Sequence, residues 1–329
     1  MTRDSSTMTS FLGIGAAAGL VAALLFAVIT TGNVLALLLY FIAPLPVLLA
    51  ALGWNHRAGI VAAVAGALAV AVVFGPLAGV VFTTSVALPA WWYAYLLLLA
   101  RTTDDGVVEW YPLGKVLMWM AGISAGLTML GALMLGSSYE AFVRSFERAV
   151  SIIEQINPNT FQGVSPEAKA QSIAEMAQLF AVVAPPISAA VGVGFAVLLA
   201  YLAGRITLAS GRLPRPWPDV PAAALPGVAL GALLATAAAS AVLRGFPGLF
   251  ALSFAAALAM AFCMQGLAVV HVLTRGVAGR GGILASLYVV FVLLPGWPAI
   301  IFALVGIADT AFGLRARRLA RRPPAPPFT

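Results

Sequence analysis

Charge is what this sequence lacks most. Only 9% of its 329 residues are Asp, Glu, Lys or Arg, against roughly 25% in soluble domains. Hydrophobic residues make up 62%, and the mean hydropathy is +1.03. A soluble chain of this length could not cover so much apolar surface. Cysteine is nearly absent: Cys263 stands alone, which excludes an intrachain disulfide. Two histidines, His56 and His271, are too few for a His/Cys metal set. No nucleophile–base set stands out. "GIGAAAGLVAA" (Gly13–Ala23) is glycine-rich but lacks the lysine and strand context of a phosphate loop. These scarcities predict a protein that is not an enzyme and needs no cofactor or metal. The net charge of +7 sits in loops between apolar runs, where the positive-inside rule accounts for it without nucleic acid.

What the chain has instead is apolar runs of about 20 residues, the length that crosses a hydrocarbon core roughly 30 Å thick. They are continuous and rich in Leu, Ala and Val, which excludes the short alternating strands of a membrane β-barrel. The weak charge of Met1–Thr9 and the missing cleavage site argue against a removed signal peptide. The expected class is all-α, a polytopic helical membrane protein.

Gaps between charges set the span count. Ser5–His56 holds two spans, broken near "TTGN" (Thr30–Asn33), and Ala58–Ala100 holds two, broken at "FGPLAG" (Phe74–Gly79). Val116–Tyr139, Met176–Gly204, Val220–Leu243 and Gly245–Thr274 hold one each. A single last span would put Arg315, Arg317, Arg318, Arg321 and Arg322 outside, against the rule that basic loops stay inside. A hairpin at "LLPGWPAI" (Leu293–Ile300), with two prolines and a glycine, returns them to the cytoplasm. The expectation is about ten spans, with eight as the alternative of the same parity, and both termini cytoplasmic. Residues 1–318 form one integral membrane domain, with an outer loop at 137–180, an inner proline-rich loop at 205–221 and a disordered proline-rich tail at 319–329.

The outer loop places Phe142, Phe146, Val150 and Ile153 at helical spacing, and Ser165-Pro166-Glu167 starts a second helix. Two amphipathic surface helices are expected, either a lid or a pair floating at the interface. "APP" (Ala184–Pro186) and "APLP" (Ala43–Pro46) should bend or break their spans. Trp110 and Tyr111 anchor a span at the interface. Trp92 and Tyr95 share a helix face and either stack on a ligand or pack in the interior. Gln265 is either a third ligand contact or a helix–helix hydrogen bond. Asp309, near the cytoplasmic interface, is either a functional intramembrane acid or a structural one that pairs with Arg315 or caps a helix end, and Gly313 shares its face, open to a neighbouring helix. Gly15, Ala18, Gly19 and Ala22 form a small-residue packing face on the first helix.

Several stretches carry a resemblance: "FIAPLPVLLAALGW" (Phe41–Trp54), "FGPLAGVVFTTSVALPAWWYAYLLLLAR" (Phe74–Arg101), "EWYPLG", "QGLAVVHVL" (Gln265–Leu273) and "LVGIADTAFGLRAR" (Leu304–Arg317). Together they resemble the YybS-like family of bacterial membrane proteins, a domain of unknown function, from about Phe11 to Arg318. The chain is also distantly similar to the substrate-binding subunits of energy-coupling-factor vitamin transporters. Those subunits have about six spans and meet a coupling protein through small residues that Ala18 and Ala22 would imitate. The resemblance implies a multi-pass protein of the bacterial inner membrane. It also implies transport-related binding of a small-molecule ligand, with an ATPase and coupling protein as partners beside the lipid bilayer. The alternative is a membrane scaffold or assembly factor that uses the proline-rich loop and arginine tail.

Overall fold

The computed structural model describes residues 2–157, 162–294 and 296–320, with side chains from Phe11 to Arg318. Pro158, Pro295, Arg321, Arg322 and the proline-rich tail beyond Ala320 lie outside the described residues. The regular structure among the described residues is helical apart from one small hairpin. It forms two compact units, Met1–Met120 with Gly194–Leu225 and Ala121–Val193 with Pro226–Thr329.

The first unit opens with α1 (Thr2–Ala27), α2 (Val34–Ile42), α3 (Pro44–Trp54) and α4 (His56–Phe74), followed by α5 (Pro76–Phe82) and α6 (Leu88–Leu98). The breaks have local causes. After α1 a 3-10 turn runs to Thr31, and Gly32 closes it at φ 69°. Asn33 then caps α2, its Oδ1 accepting from the Ala36 amide at 2.8 Å. Gly75, at φ 93°, and Pro76 turn α4 into α5.

α1 lies on α4 through small residues. A Cβ on Gly15 would come within 2.7 Å of the Ala58 carbonyl, and one on Gly19 would strike the Ala62 carbonyl. Ala22 is fully buried, while Ala18 is only half-buried. The small face is therefore occupied within the chain at Gly15, Gly19 and Ala22. Of the two residues that the coupling-protein comparison uses, Ala22 is turned inward and Ala18 keeps part of its surface.

An unforeseen hairpin follows α6. β1 (Ala100–Thr102) pairs antiparallel with β2 (Val108–Trp110), joined by a turn through Asp105 and Gly106, the latter at φ 77°. α7 (Leu113–Leu135) then begins just after Pro112.

In the second unit α8 (Tyr139–Ile156) starts at Ser138, whose hydroxyl accepts from the Ala141 amide. The Glu140 backbone N–H and the Ser138 side chain hold the Glu140 carboxyl below its usual range. Phe142 and Val143 pack with Ala132, Ala181 and Leu249, so α8 lies on protein rather than floating freely. Its apolar face ends sooner than the spacing predicted, because Ile153 is exposed. The second surface helix is not separate. α9 runs unbroken from Pro166 to Ala209, 44 residues, carrying Pro185 and Pro186 inside it. Of the bend or break expected at "APP", the break is absent.

The unit closes with α10 (Val228–Val242), α11 (Gly245–Leu273), α12 (Arg280–Leu293), α13 (Trp297–Phe312) and α14 (Leu314–Ala320). Among the described residues seven helical segments are long and apolar enough to cross a membrane. α10, α12 and α13 are apolar but shorter, at 15, 14 and 16 residues. This is an all-α polytopic membrane protein.

Candidate functional site

Two spans of the first unit are interrupted near their middles. In Val34–Trp54 the interruption is at Ala43, where Pro44 and Pro46 withhold amides and the Ala43 N–H turns to the Tyr40 carbonyl. In Pro76–Leu98 it is a wide π turn, Thr83–Ala87. Pro89 has no N–H for the Ser85 carbonyl and crowds it. The hydroxyls of Thr83, Thr84 and Ser85 turn back on the carbonyls of Gly79, Val80 and Val81, at 2.7, 2.9 and 2.6 Å. Such back-bonding loosens a helix, and a π turn absorbs the residue left over. α3 packs on both the π turn and α6.

An aromatic cluster follows the π turn. Tyr95 stacks on Trp91 at 5.8 Å and on Trp92 at 5.5 Å between ring centroids. His56 meets Tyr95 edge-on, and Trp119 of α7 meets Trp92 edge-on at 5.3 Å. Trp91 Nε1 donates to the His56 carbonyl at 3.2 Å. Trp92 Nε1 is buried and has no hydrogen-bond partner among the described residues. A buried donor left unpaired costs about 1–3 kcal/mol. Trp92 and Tyr95 were foreseen from their spacing. Trp119 and His56 were not, because they come from other helices.

Gln265 belongs to the second unit. Its amide nitrogen donates to the Gly306 carbonyl at 3.2 Å, Asp309 Oδ2 at 3.0 Å and the Thr310 hydroxyl at 2.9 Å. Asp309 is buried. Its Oδ1 accepts from the Arg315 backbone N–H at 3.1 Å, and its Oδ2 takes Arg315 Nη2 at 2.7 Å. The carboxylate thus pairs Arg315 and holds the start of α14. Gly313 does not serve as a packing face: at φ 64° it ends α13. The close approach is made elsewhere. A Cβ on Gly266 would strike the Phe302 carbonyl, and one on Gly306 would strike the Phe262 carbonyl. The repeated Phe-x-x-x-Gly in α11 and α13 was the unread signal.

Basic residues on the loops and adjoining helix ends of the first unit are laid over aromatic rings. Arg212 lies 4.4 Å from the Trp54 ring, Arg205 5.3 Å from Trp217, Arg215 5.5 Å from Trp110 and Lys115 5.8 Å from Tyr111. Arg215 is buried and donates to the carbonyls of Leu97 and Tyr111 at 3.0 and 3.3 Å. Burial lowers its pKa. It ties the proline-rich loop to the end of α6 and to the hairpin.

Among the described residues no three His, Cys, Asp or Glu gather as a metal set. No curated protein and no solved structure matches the chain. The family model described as "Predicted membrane protein (DUF2232)" matches residues 20–310. That range takes in both interrupted spans, the aromatic cluster and the Gln265–Asp309 contact, and on it the chain belongs to the DUF2232 family of predicted membrane proteins.

Proposed function

We propose that the chain is a non-enzymatic, transport-related protein of the bacterial inner membrane that holds a small molecule in its first unit. The observation that carries this reading is the buried Trp92 Nε1, unpartnered among the described residues and set in an aromatic cluster on the helix that follows the π turn. Discontinuous helices supply binding groups at mid-bilayer in many transporters. π turns recur at functional sites. The orphan N–H asks for a ligand with a hydrogen-bond acceptor, and the Trp92, Tyr95 and Trp119 rings favour a flat or apolar body. An ATPase pair with a coupling protein is the partner this reading expects. Ala22 being buried, that partner would meet a surface other than the small-residue face. The test is purification in mild detergent, denaturation, and mass spectrometry of released small molecules from the wild type and Trp92→Phe. A metabolite released by the wild type and reduced about tenfold in Trp92→Phe, the loss of one well-formed hydrogen bond, supports the reading. Release of nothing, or equal release from both, removes it.

The second reading is a scaffold, and the four cation–aromatic pairs on the loops and adjoining helix ends of the first unit favour it. There the basic loops hold a membrane partner, and crosslinking from the 205–221 loop would capture one protein reproducibly.

A further inference from the structure

We propose that the turn between α11 and α12 binds the phosphate of an anionic phospholipid. The turn reads "TRGVAGRGG" (Thr274–Gly282). Arg280 Nε is buried without a partner among the described residues, and Nη2 reaches the His271 carbonyl at the long distance of 3.5 Å. Arg275 and Arg280 both act electrostatically on the His271 ring, whose Nε2 lies 2.8 Å from the Tyr288 hydroxyl. Two arginines therefore stand at one helix end, beside the His271 ring. From Pro226 to Thr329 the sequence has one acid, Asp309, and Arg315 holds it.

The backbone adds to this. Gly279, at φ 75°, starts α12, and no side chain caps it. Nothing among the described residues stands within 4 Å of where a Cβ would lie on Gly281 or Gly282. Oxygens can thus approach the first amides of a helix whose dipole favours an anion. The flank decides between a lipid and a soluble phosphate. α12 has no buried residue, and Ile283, Tyr288 and Val289 are exposed beside the turn. An acyl chain can lie along that apolar face while its phosphate sits in the turn.

The test is native mass spectrometry of the full chain in detergent, titrated with dioleoyl phosphatidylglycerol or dioleoyl phosphatidylcholine. The wild type should retain phosphatidylglycerol preferentially. Arg280→Gln should lower that retention about fivefold, as one lost basic contact to anionic lipid implies. Arg280→Lys should keep most of it. Arg101→Gln, whose side chain pairs with Glu109 on the hairpin, should leave it unchanged. Gly281→Leu keeps the charge and covers the amides, so it should also weaken retention, and it decides the matter if Arg280→Gln fails to fold. Equal retention of the two lipids overturns the proposal, as does retention that neither variant changes. So does Arg280-dependent binding of inorganic phosphate without a preference for phosphatidylglycerol, which would make the ligand a soluble anion.

Discussion

At the scale of single residues, the two most informative polar groups behave in opposite ways. Asp309 is saturated by Arg315 and Gln265, while Trp92 Nε1 has no partner among the described residues. A saturated buried carboxylate is structural first. Removing one partner of such a pair leaves the other charge uncompensated, at a cost of about 3–5 kcal/mol. Asp309→Ala should therefore lose about that much against thermal or detergent-driven unfolding. Arg315→Leu with Asp309→Leu, replacing both charges, should recover much of it. If Asp309→Ala melts like the wild type, the network is not what holds α14 to α13. The pairing itself was legible, because an acid six residues before an arginine at the end of an apolar run has few other uses. Gln265 was legible only as a polar residue in a span. Its partners lie 41 to 45 positions away, a distance that spacing does not reveal.

At the scale of elements, helix ends were readable and helix contacts less so. "TTGN" and "FGPLAG" mark breaks because glycine accepts positive φ and asparagine caps the helix that follows, and both breaks are where the sequence put them. "APP" failed as a breaker. In α9 neighbouring turns carry the helix through two missing amides, as happens in membrane helices where other groups satisfy the freed carbonyls. The small face of α1 was identified from its spacing, but not its use against α4. The approach of α11 to α13 went unread because it needs two helices considered together. It makes a sharp prediction. Gly306→Ala places a methyl on the Phe262 carbonyl and should destabilise by about 1–3 kcal/mol, the range for overpacking. Gly313→Ala should also destabilise, but through its positive φ, and Asn there should recover part of the loss. Melting curves in detergent show both losses, and amide exchange separates them, since only Gly306→Ala should also loosen Gln265 from α13 and speed exchange along that helix.

At the scale of the whole molecule, the lone cysteine makes it measurable which loops face which side. Cys263 is fully buried, so the wild type should be blank toward a membrane-impermeant maleimide. α9, at 44 residues, is roughly 66 Å long at 1.5 Å per residue, about twice a hydrocarbon core. Part of it must stand clear of the bilayer, and its polar first turns around Gln171 are the exposed part. With both termini inside, Gln171→Cys should label from outside in intact cells, while Asp104→Cys and Ser210→Cys should label only after permeabilisation. α12 and α13 are the hard case. At 14 and 16 residues each is roughly 21 to 24 Å long, short of the core, and the proline expected to turn a hairpin between them, Pro295, lies outside the described residues. Charge decides instead. Arg275 precedes α12 and Arg280 opens it, and Arg315, Arg317 and Arg318 follow α13, so the positive-inside rule puts both ends on one side. Val277→Cys and Arg317→Cys should therefore share one labelling pattern, that of Asp104→Cys. Labelling of Arg317→Cys from outside would mean that α12 and α13 cross as one span and that the arginine run defies the rule.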